Sequence, residues 1–178
     1  ADLIGHFKQV AVDQSSARRR SFDLRQTVDE MLVTLVLTFK HTRHRIEVDI
    51  PTDLQMDSYP GPLEQVIANL VANSLAHGFV GMDEGRVELY ARPLADTHLE
   101  LRYTDNGVGI ASETLHRIFE PFFTTHLGQG GSGLGLYIVY NLVTGVLGGT
   151  IEVASSPGGG TVFTLLLPRT APERGAAA

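Results

Sequence analysis

The sequence predicts an α+β fold in which helices form one layer on a single mixed sheet. Three observations lead there. Apolar residues recur at helical spacing in several segments, and other segments alternate apolar and polar residues. The strands come in adjacent pairs, without the steady strand–helix alternation of a doubly wound sheet. At 178 residues, with 43% hydrophobic and 19% charged, the chain suits one globular domain with a real core.

Residues 1 to 14 place Leu3, Ile4, Phe7, Val10 and Ala11 on one helical face, and "SSARRRS" then breaks the pattern. Its three arginines read as a solvated joint, not a binding patch. From Leu24, the residues Val28, Met31, Leu32, Leu35, Val36 and Phe39 mark a second helix. "RIEVDI" alternates Ile46, Val48 and Ile50 as a strand. "PGPLEQVIANLVANSLAHGF" opens on prolines suited to a helix start, with Leu63, Val66, Ile67, Leu70 and Val71 as its apolar face. "RVELYAR" and "HLELRYT" read as neighbouring strands, and a short helix is expected around Ser112 to Ile118. A glycine-rich loop precedes a helix over Leu134 to Leu147, and "TIEVAS" and "TVFTLLLP" close as two strands joined by "SPGGG". The last residues, "RTAPERGAAA", are expected to fray.

Composition excludes several functions. With net charge −6 and pI near 5.6 the chain is a poor match for nucleic-acid phosphates. It has no cysteine, so disulfide scaffolds, thiolate metal sites and cysteine nucleophiles are ruled out. The first residues lack a signal-peptide layout. Leu127 to Ile151 carries no charge, but its apolar part is shorter than the roughly 20 residues a bilayer needs, so a soluble, cytoplasmic domain is expected.

Three stretches carry chemistry. "GQGGSG" fits G-x-G-x-x-G at Gly128, Gly130 and Gly133, but "FEPFFTTHL" before it is not the buried strand of a dinucleotide fold, and Gly-Lys-Ser/Thr is absent. What survives is an anion site of bare amides ahead of a helix, in a loop free to move. On the helix from Pro62, Gln65, Asn69, Asn73 and His77 stand four apart on one polar face. Two amides and an imidazole in register there suggest oxygen ligands for a hard cation such as Mg²⁺. In "YTDNGVGI", Asp105 follows a strand, with Gly107 and Gly109 beyond it. An ionised carboxylate there only accepts hydrogen bonds, which suits the amine of adenine and repels the carbonyl of guanine.

In this order the pieces resemble the ATP-binding catalytic domain of sensor histidine kinases, in the superfamily shared with DNA gyrase, a heat-shock chaperone and MutL. "NLVANSLAH" looks like the N box, "DNGVGI" and "GSGLGL" match the glycine boxes, "IFEPFFTT" matches the F box, and "GGGTVFTLLLP" resembles the closing element, over Phe22 to Pro168. The resemblance implies a two-layer α/β sandwich with a mixed, mostly antiparallel sheet, the Bergerat fold. It implies ATP and Mg²⁺ as cofactors, with Asn73 as the metal ligand and Asn69 and His77 near the phosphates. Asp105 would bind the adenine amine, Gly107 and Gly109 would let the ring approach, and Thr161 would lie near the base. Thr124 and Thr125 would stand at the nucleotide, and Gly131, Ser132, Gly133, Leu134 and Gly135 would open the phosphate-receiving helix. Residues 119 to 132 would form a mobile lid.

Where gyrase and MutL carry a water-activating glutamate, four residues before the metal ligand, this chain has Asn69, so transfer is expected in place of efficient hydrolysis. The family often has lysines at the positions of Ala76 and His126; His77, His126 or Arg117 would have to supply positive charge instead. None of the seven histidines precedes an acid, so the usual phosphoacceptor is missing and no catalytic residue of that kind is present. Residues 1–14 resemble the end of the second helix of the dimerising hairpin, 15–21 a linker, 22–168 the catalytic domain and 169–178 a tail. The implied partners are the histidine-bearing hairpin domain and, indirectly, a response regulator; monomer or weak dimer is expected. An anti-sigma-type serine kinase and a degenerate nucleotide-binding module are the alternatives.

Overall fold

The computed structural model describes residues 18–39, 42–124 and 132–173. The elements run β1 (Arg20–Asp23), α1 (Leu24–Phe39), β2 (Arg45–Asp49), β3 (Gln55–Ser58), α2 (Pro60–Asn73), β4 (Arg86–Leu94), β5 (His98–Asp105), α3 (Ser112–Leu115), α4 (Gly135–Asn141), β6 (Thr150–Ser155) and β7 (Thr161–Pro168). A π-helical turn, Ser74–Gly78, prolongs α2, and another, Leu142–Val146, prolongs α4. The expected α+β fold forms: one five-stranded sheet, in the order β2-β4-β5-β7-β6, packs against the helices.

Only β2 and β4 pair in parallel; the other neighbours are antiparallel. A parallel pair needs a crossover, and α2 rides in the one between β2 and β4. β5 and β6 both run against β7, so the chain crosses over between them as well, carrying α3 and α4. The two crossovers set α2 and α4 against each other above the sheet.

The helix pattern read from the sequence is the one that packs. Tyr59 is extended, and prolines in the first turn of α2 place their fixed φ where no amide donor is needed. Leu63, Val66, Ile67, Leu70 and Val71 are each 1% exposed or less. Along α4 and its π turn, Val139, Val143 and Leu147 form a buried stripe four residues apart.

Both ends of the domain differ from expectation. β1 and β3 form an antiparallel pair with Phe22 opposite Met56, so Arg20 and Ser21 belong to a strand and not to a linker. The expected tail packs too. The Asp57 amide donates to the Arg169 carbonyl at 2.7 Å, the Ala171 amide to the Asp57 carbonyl at 2.9 Å, and Ala171 is 1% exposed. The Tyr59 hydroxyl donates to the Pro172 carbonyl at 3.1 Å. Arg19 is no solvated joint: its guanidinium grips Asp57 through Nε (3.2 Å) and Nη2 (2.7 Å) and lies 4.0 Å from Glu173. The helix expected at residues 1–14, the C-terminal residues 174–178, and Thr125, His126 and Gly131 lie outside the described residues. Among the described residues no helix is long and apolar enough to cross a membrane.

The hydrogen bond from Arg19, with its charge, holds the Asp57 carboxyl below its ordinary range despite some desolvation. A carboxyl lowered by folding stabilises the fold above its ordinary pKa and loses that contribution as pH falls through the lowered value. Asp57→Asn is therefore expected to melt below wild type at pH 7. The gap should close as pH is taken from about 5 to about 2, read by thermal unfolding.

Candidate functional site

β5 is central in the sheet, and its alternation decides what lies beneath the helices. Leu99, Leu101 and Tyr103 face inward and are buried, so Asp105, two residues on, faces inward as well and is 5% exposed. A carboxylate in that place needs hydrogen-bond donors. Ser74 Oγ donates to its Oδ2 at 2.7 Å, and the Gly107 amide donates to its Oδ1 at 2.9 Å. The Tyr103 phenol donates to Ser74 Oγ at 2.9 Å. Burial pushes the Tyr103 phenol far above its ordinary range, against the pull of its bond to Ser74, and the negative charge of Asp105 adds to the rise.

Strand register sets Thr161, the first residue of β7, directly beside Asp105. The hydroxyl of Ser155 accepts from the Ile110 amide at 2.8 Å and donates to the Gly160 carbonyl at 2.6 Å. Its one proton is thereby committed, so Thr161 Oγ1, 3.1 Å away, donates to Ser155 and keeps its lone pairs.

Asp105 and Thr161 both open on a cavity of about 420 Å³, inside the range of about 300–1,000 Å³ usual for small-molecule sites. From α2 and its π turn come Asn69, Asn73, Ser74 and His77; from the turn after β5, Gly109. Phe123, Thr124, Ser132, Gly133 and Gly135 contribute from either side of residues 125–131. Ten of the expected residues are thus brought together: Asn69, Asn73, His77, Asp105, Gly109, Thr124, Ser132, Gly133, Gly135 and Thr161. Gln65, Gly107 and Leu134 do not line the cavity, though the Leu134 amide is held by Ser132 Oγ at 3.3 Å.

Gly107 serves the protein's own packing. A Cβ there would lie 2.5 Å from the carbonyl oxygen of Gly78, which instead accepts from the Val108 amide at 2.8 Å. Gly109 takes φ +74°, and a Cβ on it would run into the Ser156 carbonyl. The two glycines let the turn after Asp105 lie against the π turn on one side and the β6–β7 hairpin on the other.

Ionisable groups are scarce. Among the described residues only Asp105 and His77 line the cavity with a titratable side chain. Arg117 is committed elsewhere, paired with Glu120 at 3.0 Å and stacked 4.6 Å from the centre of the Phe123 ring. Asn69 Nδ2 is buried with no hydrogen-bond partner, an uncommon and costly state for an amide donor. Among the described residues no group of three or more histidines and carboxylates is placed to hold a metal, so a divalent cation here would need oxygens from a ligand.

Sequence reasoning passed over Ser74, Tyr103 and Ser155, which hold Asp105 and Thr161. Two signals were present. Ser74 directly follows Asn73, and Tyr103 has the same strand parity as Asp105.

Comparison with known proteins shows which family the chain resembles. A family model described as histidine kinase-, DNA gyrase B- and HSP90-like ATPase matches residues 59–171. The autoinducer 2 sensor kinase/phosphatase LuxQ of Vibrio harveyi is 33% identical over 175 residues, covering 94% of this chain and 20% of LuxQ. The sensor-like histidine kinase SenX3 of Mycolicibacterium smegmatis is 32% identical over 176 residues, covering 94% of this chain and 44% of SenX3. The chain thus spans less than half the length of these relatives. The nucleotide-free catalytic domain of histidine kinase ThkA superposes with a TM-score of 0.74 at 26% identity, over 86% of this chain and 97% of that one.

Because the obstacle at Gly107 is backbone, Gly107→Ala is expected to lose about 1–3 kcal/mol in chemical denaturation. Gly145→Ala, whose methyl would meet nothing within 4 Å, should lose nothing.

Proposed function

The chain belongs to the histidine kinase-, DNA gyrase B- and HSP90-like ATPase family, and from that premise we propose that it is the ATP-binding catalytic domain of a sensor histidine kinase. In this reading it binds ATP with Mg²⁺ and presents the γ-phosphoryl group to a histidine on a separate helical hairpin. The observation that carries the reading is one cavity lined both by an accept-only carboxylate, Asp105, and by Asn69, whose buried Nδ2 has no acceptor among the described residues. Asn69 precedes Ser74, the residue on Asp105, by five positions, or about 7.5 Å along a helix. A ligand with an amine at one end and anionic oxygens at the other satisfies both.

The roles then follow from chemistry. Asp105 accepts from the exocyclic amine of adenine, with Thr161 beside it. Asn73 offers an amide oxygen to Mg²⁺, which when bound neutralises charge on the phosphates. Asn69 gives its orphan N–H to a phosphate oxygen. Amides at Ser132, Gly133 and Gly135 open α4 toward the same charge, Leu134 shapes that turn through its amide on Ser132 Oγ, and Thr124 and His77 flank it. Among the described residues no lining group beyond Asp105 is a carboxylate, and the neutral Asn69 takes no proton from water, so these residues position the phosphates for transfer in place of hydrolysis. The accepting histidine and the response regulator it serves belong to other segments or chains, and a cytosolic setting supplies the ATP.

Calorimetric titration tests this directly. An ATP analogue should bind more tightly with Mg²⁺ than without and more tightly than its GTP counterpart. Asp105→Asn should lower affinity at least about tenfold, and Asn73→Ala should remove the Mg²⁺ dependence. Phosphoryl transfer to a separately supplied hairpin domain should follow; a folded, ATP-binding sample that never transfers, or one that hydrolyses ATP rapidly, would sink the kinase reading.

Ala76 lines the cavity and is exposed. Ala76→Lys is expected to tighten Mg²⁺–ATP binding by roughly 0.2–1 kcal/mol, an effect that fades as salt is raised.

A further inference from the structure

We propose that Ser74 and Tyr103 are positioning residues for base recognition: their hydroxyls form a one-way hydrogen-bond relay that pins the Asp105 carboxylate in an accept-only orientation toward the cavity. The inference rests on the reading of the cavity as an ATP site.

The relay is buried along its whole length, with Tyr103 0%, Ser74 2% and Asp105 5% exposed. Its direction is set by its ends. The carboxylate can only accept, and the phenol, raised far above its ordinary range by burial, stays protonated and donates. Between them Ser74 Oγ receives the phenol's proton at 2.9 Å and turns its own toward Asp105 Oδ2 at 2.7 Å. A helical serine left to itself can bond back to the carbonyl four residues earlier. Here the phenol's proton fills the side of Ser74 Oγ that faces Tyr103, the serine proton turns to the charged Asp105, a stronger acceptor than a carbonyl, and successive bonds in such a chain polarise one another.

The other carboxylate oxygen, Oδ1, is held by the Gly107 amide at 2.9 Å. With a donor on each oxygen the carboxylate cannot swing about its Cβ–Cγ bond. Of about four acceptor positions on a carboxylate, two are used inside, which leaves acceptor capacity on a residue that lines the cavity. Only an N–H or O–H donor fits there, so the relay converts a flexible acid into a fixed test for a 6-amino purine. Asn73 ends α2 and Ser74 opens its π turn, so the proposed metal ligand and the base-reading relay are neighbours in the chain.

The experiment compares ATP with purine riboside triphosphate, the same nucleotide without the 6-amine, on wild type, Tyr103→Phe, Ser74→Ala and the double variant. Binding is read by calorimetry and folding by thermal unfolding. Ser74→Ala alone strands a buried phenol and should melt early; the double variant removes both partners and should melt nearer to wild type. In the double variant the preference for ATP should fall on the order of tenfold, with affinity for the des-amino nucleotide unchanged. Tyr103→Phe should lose less, because Ser74 still reaches Asp105. A merely structural pair would weaken both nucleotides alike. A folded double variant that keeps the wild-type preference, while Asp105→Asn loses it, overturns the relay. Wild type that fails to prefer ATP overturns the ATP reading itself, and the relay falls with it.

Discussion

A carboxylate stands where the sheet's inner face would otherwise end in an apolar side chain, and the rest of the site is arranged around it. Taking such a charge out of water costs several kcal/mol after relaxation, and an uncompensated one would not persist. No arginine or lysine among the described residues lines the cavity to pair with Asp105. Neutral donors therefore do the whole task, and each constrains an element. Ser74 requires the end of α2 to lie over the end of β5. Gly107 requires the turn after β5 to fold back on the carboxylate. The π turn brings Gly78 to meet that turn, through the bond from Val108. π turns recur at functional sites because they displace a backbone segment without ending the helix, and this one has that effect.

The same absence of cations shapes how a polyanion would be held. Net charge is −6, and the sequence has only two lysines, Lys8 and Lys40, both outside the described residues. A triphosphate arriving here would be neutralised by a divalent ion and by amide dipoles more than by side-chain charge. Binding of that kind depends on the metal and is less screened by salt than a lysine-lined pocket would be. It also leaves specificity to the base end, where Asp105 and Thr161 sit side by side by strand register.

Much of this was legible before any coordinates. The five alternating segments became the five strands of the main sheet, and the apolar face of α2 was readable residue by residue. Those features are periodic over many residues, so packing only reinforced them. The small β1–β3 pair was not legible, because Phe22 and Met56 are the only buried apolar residues of their short strands and one residue carries no period. The packed residues 169–172 were missed for a similar reason: their bonds go to Asp57, Tyr59 and Thr97, all far away in sequence, which no local pattern records. At the site, most cavity-lining polar residues were readable from motif and spacing, whereas the residues holding them were not. Asp105 and Asn73 stand in motifs; Tyr103 reads as one more strand aromatic until the sheet shows whose hydroxyl it reaches. Gly107 looked like room for a ligand and proved to be room for Gly78.

The clamp at β3 joins parts of the chain that lie far apart in sequence. Asp57 holds the Arg19 guanidinium through its side chain and residues 169 and 171 through its backbone, and Arg19 in turn lies 4.0 Å from Glu173. One residue of a four-residue strand therefore works as a knot: a change there loosens two distant segments at once, while the cavity is built around Asp105 on a different strand.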